Sequence, residues 1–317
     1  MRYALMTEPQ QGLSYEEILS VVRTAEEAGI EAFFRSDHYA SFPGEGGLLT
    51  TDAWATLAGL ARETSTIRLG VLVSPVTFRL PGNLAKVIQT VDEMSGGRIE
   101  AGFGAGWNED EHAQLGIPFP PIGVRYDMLE EQMAIIHGLW TEPDGWTYEG
   151  SHWQVHGSKA HGEIGRGGRR HPHIVFGGKG GPRLAALVAT YGDEFNLNSA
   201  SADDAPPAYA RVRAAAQEIG RDSDEIVYSA MTGVLVAETD DDLRTRVADL
   251  LAALGQGDVD GDAWLSERRK RWIMGTPDEA HERIRALEAN GTQRIMLQDF
   301  IPRDLDHVRL LGRVFAV

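Results

Sequence analysis

Cysteine is absent from the sequence, which has 317 residues. Its absence excludes disulfide bonds, thiolate metal sites and cysteine nucleophiles, and it fits a reducing compartment. The sequence also lacks an apolar run long enough to cross a bilayer, and residues 1–6 lead directly into a predicted strand rather than a signal peptide. We therefore expect a cytoplasmic protein that does not bind membranes.

Positive charge is scarce as well. Lys and Arg number 30 against 47 Asp and Glu, so the formal net charge is −17 and the isoelectric point is near 5.0. A field of this sign repels phosphate, which argues against a general nucleic-acid binder. A small anionic cofactor can still bind where local amides and a few cations outweigh the background. The composition therefore favours a small-molecule substrate and no nucleic-acid partner.

Strand and helix patterns alternate along the whole sequence. The first predicted helix begins with a capping box at Ser14 and Glu17 and is closed by Gly29. Repeated βα units favour an α/β fold of the (β/α)8 TIM-barrel type, in one domain of residues 1–317, over a doubly wound sheet. The largest insertion is predicted between strands four and five. The eight predicted strands are residues 3–6, 32–38, 68–73, 99–102, 173–177, 194–198, 226–236 and 294–297.

The second predicted strand ends in an acid–imidazole pair, Asp37 and His38. In α/β barrels and open parallel sheets, the chemistry is placed at the carboxyl ends of the strands. Asp37 and His38 are therefore candidate catalytic residues. The alternative is that Asp37 caps a turn and His38 lies on the surface.

Two glycine-rich stretches follow later strands. Residues 102–107, Gly-Phe-Gly-Ala-Gly-Trp, resemble a dinucleotide fingerprint but lack its third glycine at the proper spacing. Residues 177–182, Gly-Gly-Lys-Gly-Gly-Pro, join a strand to a helix start and are accompanied by two cations, Lys179 and Arg183. Free amides at a helix N-terminus beside cations favour a phosphate-binding turn, with a merely flexible turn as the alternative.

Three further patterns leave alternatives open. Ser74 and Thr77, after the third strand, could offer hydroxyl groups to a ring system or only form a turn. The triplet of residues 109–111, Glu-Asp-Glu, could supply a carboxylate that pairs with Asp37 for glycoside hydrolysis, or could be the charged first turn of a helix. A metal site would need several histidines of a loop-like region without an acid at ligand spacing, so no metal is expected. These histidines are His152, His156, His161, His171 and His173.

Taken in order, residues 36–38, 74–79, 96–107, 177–182 and 275–291 resemble the bacterial luciferase-like monooxygenase superfamily. More narrowly, the sequence is similar to its oxidoreductases that depend on the deazaflavin coenzyme F(420). The likeness covers nearly the whole chain and implies a hydride transfer between F(420) and a small organic substrate, in a homodimer. The alternative is an FMN-dependent monooxygenase, which uses molecular oxygen and reduced flavin supplied by a separate reductase.

The resemblance also implies roles for individual residues. Asp37 would lie near the deazaflavin ring, and His38 would transfer a proton or polarise the substrate. Leu72, Val73 and Ser74 would form a bulge with a cis peptide behind the ring. The loop after strand four would approach the ribityl chain, and the later glycine turn would hold the phosphate. These cofactor contacts are Ala105, Gly106, Trp107 and Asn108, and Gly177, Gly178, Lys179, Gly180 and Gly181.

One residue departs from the family pattern. Trp107 stands where the sugar-phosphate dehydrogenases of the family carry a glutamate, so we expect another reaction and a less polar substrate. Three loops, residues 41–47, 146–170 and 255–264, are predicted to enclose that substrate. The basic run of residues 268–271 is expected to be a solvated helix face, or alternatively to meet the anionic tail of the cofactor.

Overall fold

Eleven strands occur in the computed structural model, which describes residues 1–43, 46–159 and 171–316. In chain order they are β1 (Arg2–Thr7), β2 (Ala32–Arg35), β3 (Arg68–Pro75), β4 (Ile99–Gly104), β5 (Trp146–Glu149), β6 (Gln154–Ser158), β7 (His173–Gly178), β8 (Glu194–Leu197), β9 (Val227–Val236), β10 (Ile273–Gly275) and β11 (Arg294–Asp299). Eight of them are parallel and pair in a closed circle, in the order β1, β2, β3, β4, β7, β8, β9, β11 and back to β1. The predicted TIM barrel is therefore confirmed.

Helices follow the barrel strands and cover them with apolar faces. The capping box of Ser14 and Glu17 starts the first helix as predicted. None of the helices in the described ranges has the length and apolarity that a membrane span requires. The helices are α1 (Tyr15–Glu27), α2 (Ala53–Glu63), α3 (Pro81–Ser95), α4 (Glu109–Leu115), α5 (Ile122–Thr141), α6 (Pro182–Tyr191), α7 (Ala205–Glu218), α8 (Asp240–Ala253), α9 (Gly261–Arg268), α10 (Pro277–Ala289) and α11 (Leu305–Phe315).

In the insertion after β4, residues 146–159 do not line the cavity at the barrel mouth. Helix α5 begins near the mouth and carries the chain back to the opposite end of the barrel, where the hairpin β5–β6 follows it. The Glu131 carboxylate on α5 accepts hydrogen bonds from the amides of residues 151–153, which fixes the hairpin against that helix. The prediction that residues 146–170 enclose the substrate is therefore wrong for residues 146–159, while residues 160–170 lie outside the described ranges.

Residues 255–264 also differ from the predicted loop. The end of this segment enters α9, which begins after Asp260 because its carboxylate accepts hydrogen bonds from the amides of Asp262 and Ala263. Leu265 is the only buried residue of α9, so the sequence carries almost no apolar period there. The segment packs beside α8, and none of its residues lines the cavity at the barrel mouth, so the prediction that it encloses the substrate is wrong for that cavity.

The amino-terminal end of the barrel is closed by a buried ion cluster. The Arg294 guanidinium, which is fully buried, lies 2.6 Å from Glu100, 2.9 Å from Glu194 and 2.7 Å from Glu31. These residues stand at the starts of different strands. The cluster therefore holds several strands together inside the barrel, and a buried charge here is stable only while its partners are present.

Replacing Arg294 with Met should lower the free energy of unfolding by about 3–5 kcal/mol, because two buried carboxylates lose their counter-charge. Arg303→Met, at an exposed ion pair with Glu17, is the matched control and should cost about 1 kcal/mol or less. Urea unfolding of the two variants measures both values. Equal losses would show that the cluster contributes no more than a surface pair.

The same cluster should give stability a pH dependence on both sides of neutrality. Burial alone would raise the pKa of Glu194. The charge of Arg294 and the hydrogen bond from His173 outweigh burial, so the pKa of Glu194 lies below its ordinary value. Burial lowers the pKa of His173, but the hydrogen bond to Glu194 and the charge of Glu100 raise it overall. The carboxylate contribution is present above about pH 4.3 and is lost as the pH falls, and the His173 contribution is present below about pH 6.5 and is lost as the pH rises.

Thermal unfolding between pH 4 and pH 9 tests this expectation with His173→Gln beside the native chain. The difference in stability between the two proteins should shrink as the pH rises above about 6.5, because His173 then loses its extra proton. A difference that stays constant across this range would contradict a charged His173 in the folded protein.

Candidate active site

A cavity of about 500 Å³ opens at the carboxyl ends of the barrel strands. Every barrel strand, or the turn that follows it, contributes to its lining. One residue from each is Met6, Ser36, Leu72, Gly104, Gly177, Asn196, Met231 and Gln298. This volume lies in the range of small-molecule and cofactor sites, and the position is the one at which TIM-barrel enzymes place their active sites.

Most of the predicted site residues meet in this cavity. The lining includes Asp37, His38, Leu72, Val73, Ala105, Gly106, Trp107, Gly177 and Gly178. Phe42 and Pro43 of the predicted enclosing loop also line it, whereas Gly44 and Glu45 of that loop lie outside the described ranges. The two glycine-rich stretches, far apart in sequence, are thus neighbours at one cavity.

Two predicted cofactor contacts are not brought to the cavity. Ser74 is fully buried, and its hydroxyl accepts a hydrogen bond of 2.8 Å from the Trp54 indole. The Asn108 side chain caps α4 by accepting from the Glu111 amide at 3.5 Å. Each polar group therefore serves the local fold, which corrects the prediction that Ser74 and Asn108 contact a cofactor.

The end of β3 forms the bulge that the resemblance implies. The pairing of β3 with β4 shifts in register between Val71 and Ser74, and the peptide between Leu72 and Val73 is cis. The Val73 side chain lies so close to Gly104 and Gly177 that a Cβ atom on either would approach it to 2.6 or 2.8 Å. Glycine at these two positions therefore makes room for Val73 in the cavity wall.

The predicted phosphate turn is only partly as expected. Gly181 caps α6, and no described group accepts a hydrogen bond from the amides of Gly180, Gly181 and Arg183, which leaves them available to an anion. The Arg183 side chain is turned to Asp127 and Glu130, each at 2.7 Å, so it is not the predicted cation of this turn. Lys179, Gly180 and Gly181 lie beside the cavity rather than in its lining.

Two cations nevertheless lie near this turn. The Lys179 ammonium donates to the Asn198 carbonyl at 2.7 Å, and burial, together with the nearby charge of Arg271, lowers its pKa. Arg271 donates to the Ser199 carbonyl at 2.9 Å and pairs with Asp204. Because Asn198 and Ser199 line the cavity, both cations stand at its edge. Arg271 belongs to the basic run for which a solvated face was the first expectation.

The His38 ring is held by the buried carboxylate of Glu111, a partner that the sequence did not predict. The His38 Nδ1 atom lies 2.9 Å from Glu111 Oε1, and the Tyr39 amide donates to Glu111 Oε2 at 3.1 Å. A carboxylate only accepts hydrogen bonds, so the proton of a neutral His38 sits on Nδ1. The Nε2 atom has no partner among the described residues and is the position at which His38 can exchange a proton.

Asp37 is a cavity residue whose carboxylate is already engaged. Both of its oxygens accept from the Arg79 guanidinium, which also pairs with Asp52 and donates to the Tyr39 hydroxyl at 2.7 Å. Burial lowers the pKa of Arg79, but the charge of Asp37 raises it overall, so the guanidinium stays charged. Asp37 therefore fixes the end of β2 beside His38, and both of its oxygens are occupied by this pairing rather than free for the catalytic role predicted for Asp37.

Comparison with known proteins shows the family to which the chain belongs. The model of the family described as luciferase-like monooxygenase matches residues 1–294. The chain belongs to the luciferase-like monooxygenase family. The resemblance seen in the sequence is confirmed, and relatives that use F(420) are among those found.

Two of these similar proteins have different printed activities. An F(420)-dependent glucose-6-phosphate dehydrogenase of Amycolatopsis mediterranei is 30% identical over 176 residues, 55% of this chain and 51% of the relative. A pyrimidine monooxygenase of Allorhizobium ampelinum is 29% identical over 227 residues, 68% of this chain and 59% of the relative. The chain thus spans little more than half of the length of these curated relatives.

A solved structure extends the likeness over the whole fold. An F(420)-dependent secondary alcohol dehydrogenase in complex with an F(420)–acetone adduct has a TM-score of 0.80 at 18% identity, with 99% of this chain and 98% of the other covered. At that identity the match supports the barrel fold alone.

The described residues do not support the glycoside-hydrolase alternative or a metal site. Glu109 is exposed in the first turn of α4 and does not line the cavity. Glu111 of the same triplet lines the cavity, but His38 and the Tyr39 amide engage its oxygens as Arg79 engages those of Asp37, so the two carboxylates are not free for glycoside hydrolysis. Among the described residues, one set of three groups could reach a metal, Glu100, His173 and Glu194. The Arg294 guanidinium already pairs with both carboxylates. His161 lies outside the described ranges.

Nitrogen-15 NMR of the histidines tests the role of Glu111. Neutral His38 should carry its proton on Nδ1 in the native chain, and Glu111→Leu should shift it towards the Nε2 form, because the acceptor is removed. Glu109→Leu, an exposed position on the same helix, is the matched control and should leave His38 unchanged. His38→Gln assigns the signal, and an Nε2 proton in the native chain would contradict the assignment.

Proposed function

We propose that this protein is an oxidoreductase that transfers a hydride between coenzyme F(420) and a small organic substrate. The observation that carries the proposal is the His38 imidazole, which presents Nε2 at the cavity while Glu111 holds Nδ1. Reduction of a substrate by hydride requires a proton, and oxidation of a substrate by hydride loss releases one, so such a site needs one group that exchanges protons. F(420)-dependent enzymes among the relatives support the same reading.

The described cavity residues suit a ring of the flavin type. Asn196 and Asn198 both line the cavity, and the side-chain oxygen of each is buried without a hydrogen-bond partner among the described residues. Such acceptors fit the N–H groups of a flavin or deazaflavin ring, because an unpaired buried oxygen is costly. Leu72 and Val73 would form one wall against the ring, and the amides after Gly178 would receive the phosphate.

Bound F(420) would supply two-electron hydride chemistry, and the protein residues would supply position and protons. His38 would give or take the proton at Nε2, and Glu111 would stabilise the imidazolium form through Nδ1. The Arg79–Asp37 pair would keep the end of β2 fixed, so that His38 stays at one distance from the reacting atoms. Trp107 in place of a glutamate removes a polar group, and the sugar-phosphate reaction is therefore not part of the proposal.

Parallel binding titrations with F(420) and with FMN, each oxidised and reduced, test the cofactor. The native chain should bind F(420) selectively, and Gly181→Asp should weaken binding by about tenfold or more, because a carboxylate would stand beside the phosphate. A Cβ atom at Gly181 meets no atom within 4 Å, so the substitution should not disturb the fold.

Gly181→Asn is the matched control, since it has the same size and caps a helix as well without the charge. Equal affinity of the Asp and Asn variants for F(420) would show that the phosphate does not bind at this turn. Selective binding of FMN would instead favour the monooxygenase alternative, with molecular oxygen as co-substrate and a separate reductase as partner.

A further inference from the structure

We propose that the substrate is an uncharged, largely apolar molecule that presents one hydrogen-bonding oxygen to His38. The proposal rests on the proposed function, because it takes His38 as the group that meets the substrate. It concerns a different part of the cavity from the phosphate turn, namely the entrance formed by Phe42, Trp107 and Ile122. The charge and the surface chemistry of the described cavity residues both favour this class of substrate.

The described cavity lining contains no Lys or Arg, although it contains three acids. The Asp37 carboxylate is neutralised by Arg79, and the Glu111 carboxylate is hydrogen-bonded to His38. The Glu8 carboxylate accepts hydrogen bonds from two neutral amides, Gln10 at 2.8 Å and Gln298 at 2.6 Å. A phosphate or carboxylate on the substrate would thus enter a cavity without a counter-charge, which costs several kcal/mol when the group loses its water.

The cations nearest to the lining are already committed. Arg125 donates to the Gly106 carbonyl at 3.0 Å and lies 3.7 Å from the centre of the Phe119 ring, so it stands behind the cavity wall. Lys179 and Arg271 stand at the edge near Asn198 and Ser199, next to the phosphate turn. An anionic substrate would compete there with the cofactor rather than reach His38.

The entrance offers aromatic surface instead. His38, Phe42 and Trp107 pack edge to face, with ring centres 4.5, 5.6 and 5.2 Å apart. The Trp107 side chain is nevertheless 66% exposed, and Ile122 beside the same cavity is 52% exposed. Exposed apolar side chains grouped at the rim of a cavity mark a surface that an apolar ligand covers. Within this group the His38 Nε2 atom and the Trp107 indole N–H have no hydrogen-bond partner among the described residues, and of the two only the imidazole can exchange a proton.

Binding of three matched probes to the protein loaded with F(420) tests the class by calorimetry. The probes are 2-acetonaphthone, 2-naphthoate and 2-naphthylmethylammonium, which share one ring system and differ in charge. The ketone oxygen only accepts a hydrogen bond, so it pairs with the imidazolium form of His38, which donates from Nε2. The affinity for the neutral ketone should exceed that for the naphthoate by about tenfold or more. Trp107→Ala should lower the affinity for the ketone by about tenfold. Tighter binding of either charged probe than of the ketone would overturn the proposal.

Two lysine substitutions provide a matched test in which naphthoate binding is expected to increase. Ile122→Lys adds a cation to the entrance and should raise naphthoate affinity by about tenfold, whereas Leu80→Lys adds the same charge at an exposed position outside the lining and should not. Equal effects of the two variants would overturn the proposal. F(420) binding is measured on the same samples. If F(420) does not bind but the protein still prefers the ketone to the charged probes, the proposed cofactor is rejected and the proposed substrate class is supported.

Discussion

The stability of the barrel depends most directly on the ion pairs of the Arg294 guanidinium. It stands at the start of β11 and reaches Glu100 on β4, Glu194 on β8 and Glu31 before β2, so one side chain joins strands from opposite sides of the circle. Such a cluster could be replaced by apolar side chains only if all of its members changed together, because each remaining charge would be buried alone. This cluster stands at the closed end of the barrel, where no ligand needs to enter.

A second arginine performs a similar task at the open end. Arg79 follows β3 and gathers Asp37, Asp52 and the Tyr39 hydroxyl, which come from the end of β2 and the start of α2. The loop that carries His38 is thereby fixed from behind, while Glu111 fixes its ring from the side. Proton exchange at a defined atom requires this fixation, since a mobile imidazole would present either nitrogen.

Sequence patterns predicted the barrel because each strand is a short apolar run and most helices have clear ends. They predicted Asp37 and His38 at the mouth because the carboxyl ends of parallel strands share one rim. They could not predict that Glu111 is the partner of His38, since 73 positions separate the two and Glu111 fits equally well as a charged first helical turn. The errors at Ser74 and Asn108 have the same origin, because a polar side chain near a site is often used by the fold, here by Trp54 and by the cap of α4.

The division of charge between the two ends of the barrel bears on specificity. The described lining of the mouth contains three acids, which are engaged by Arg79, His38 and two neutral amides, and it contains no Lys or Arg, so it offers no free counter-charge to an anion. The protein as a whole has a net charge of −17, which further disfavours an approaching anion unless local cations and amides receive it. Those groups are found together beside Gly180 and Gly181, at the edge of the cavity. A cofactor with a phosphate and a neutral apolar substrate can therefore occupy one cavity without competing, because each finds its recognition at a different side.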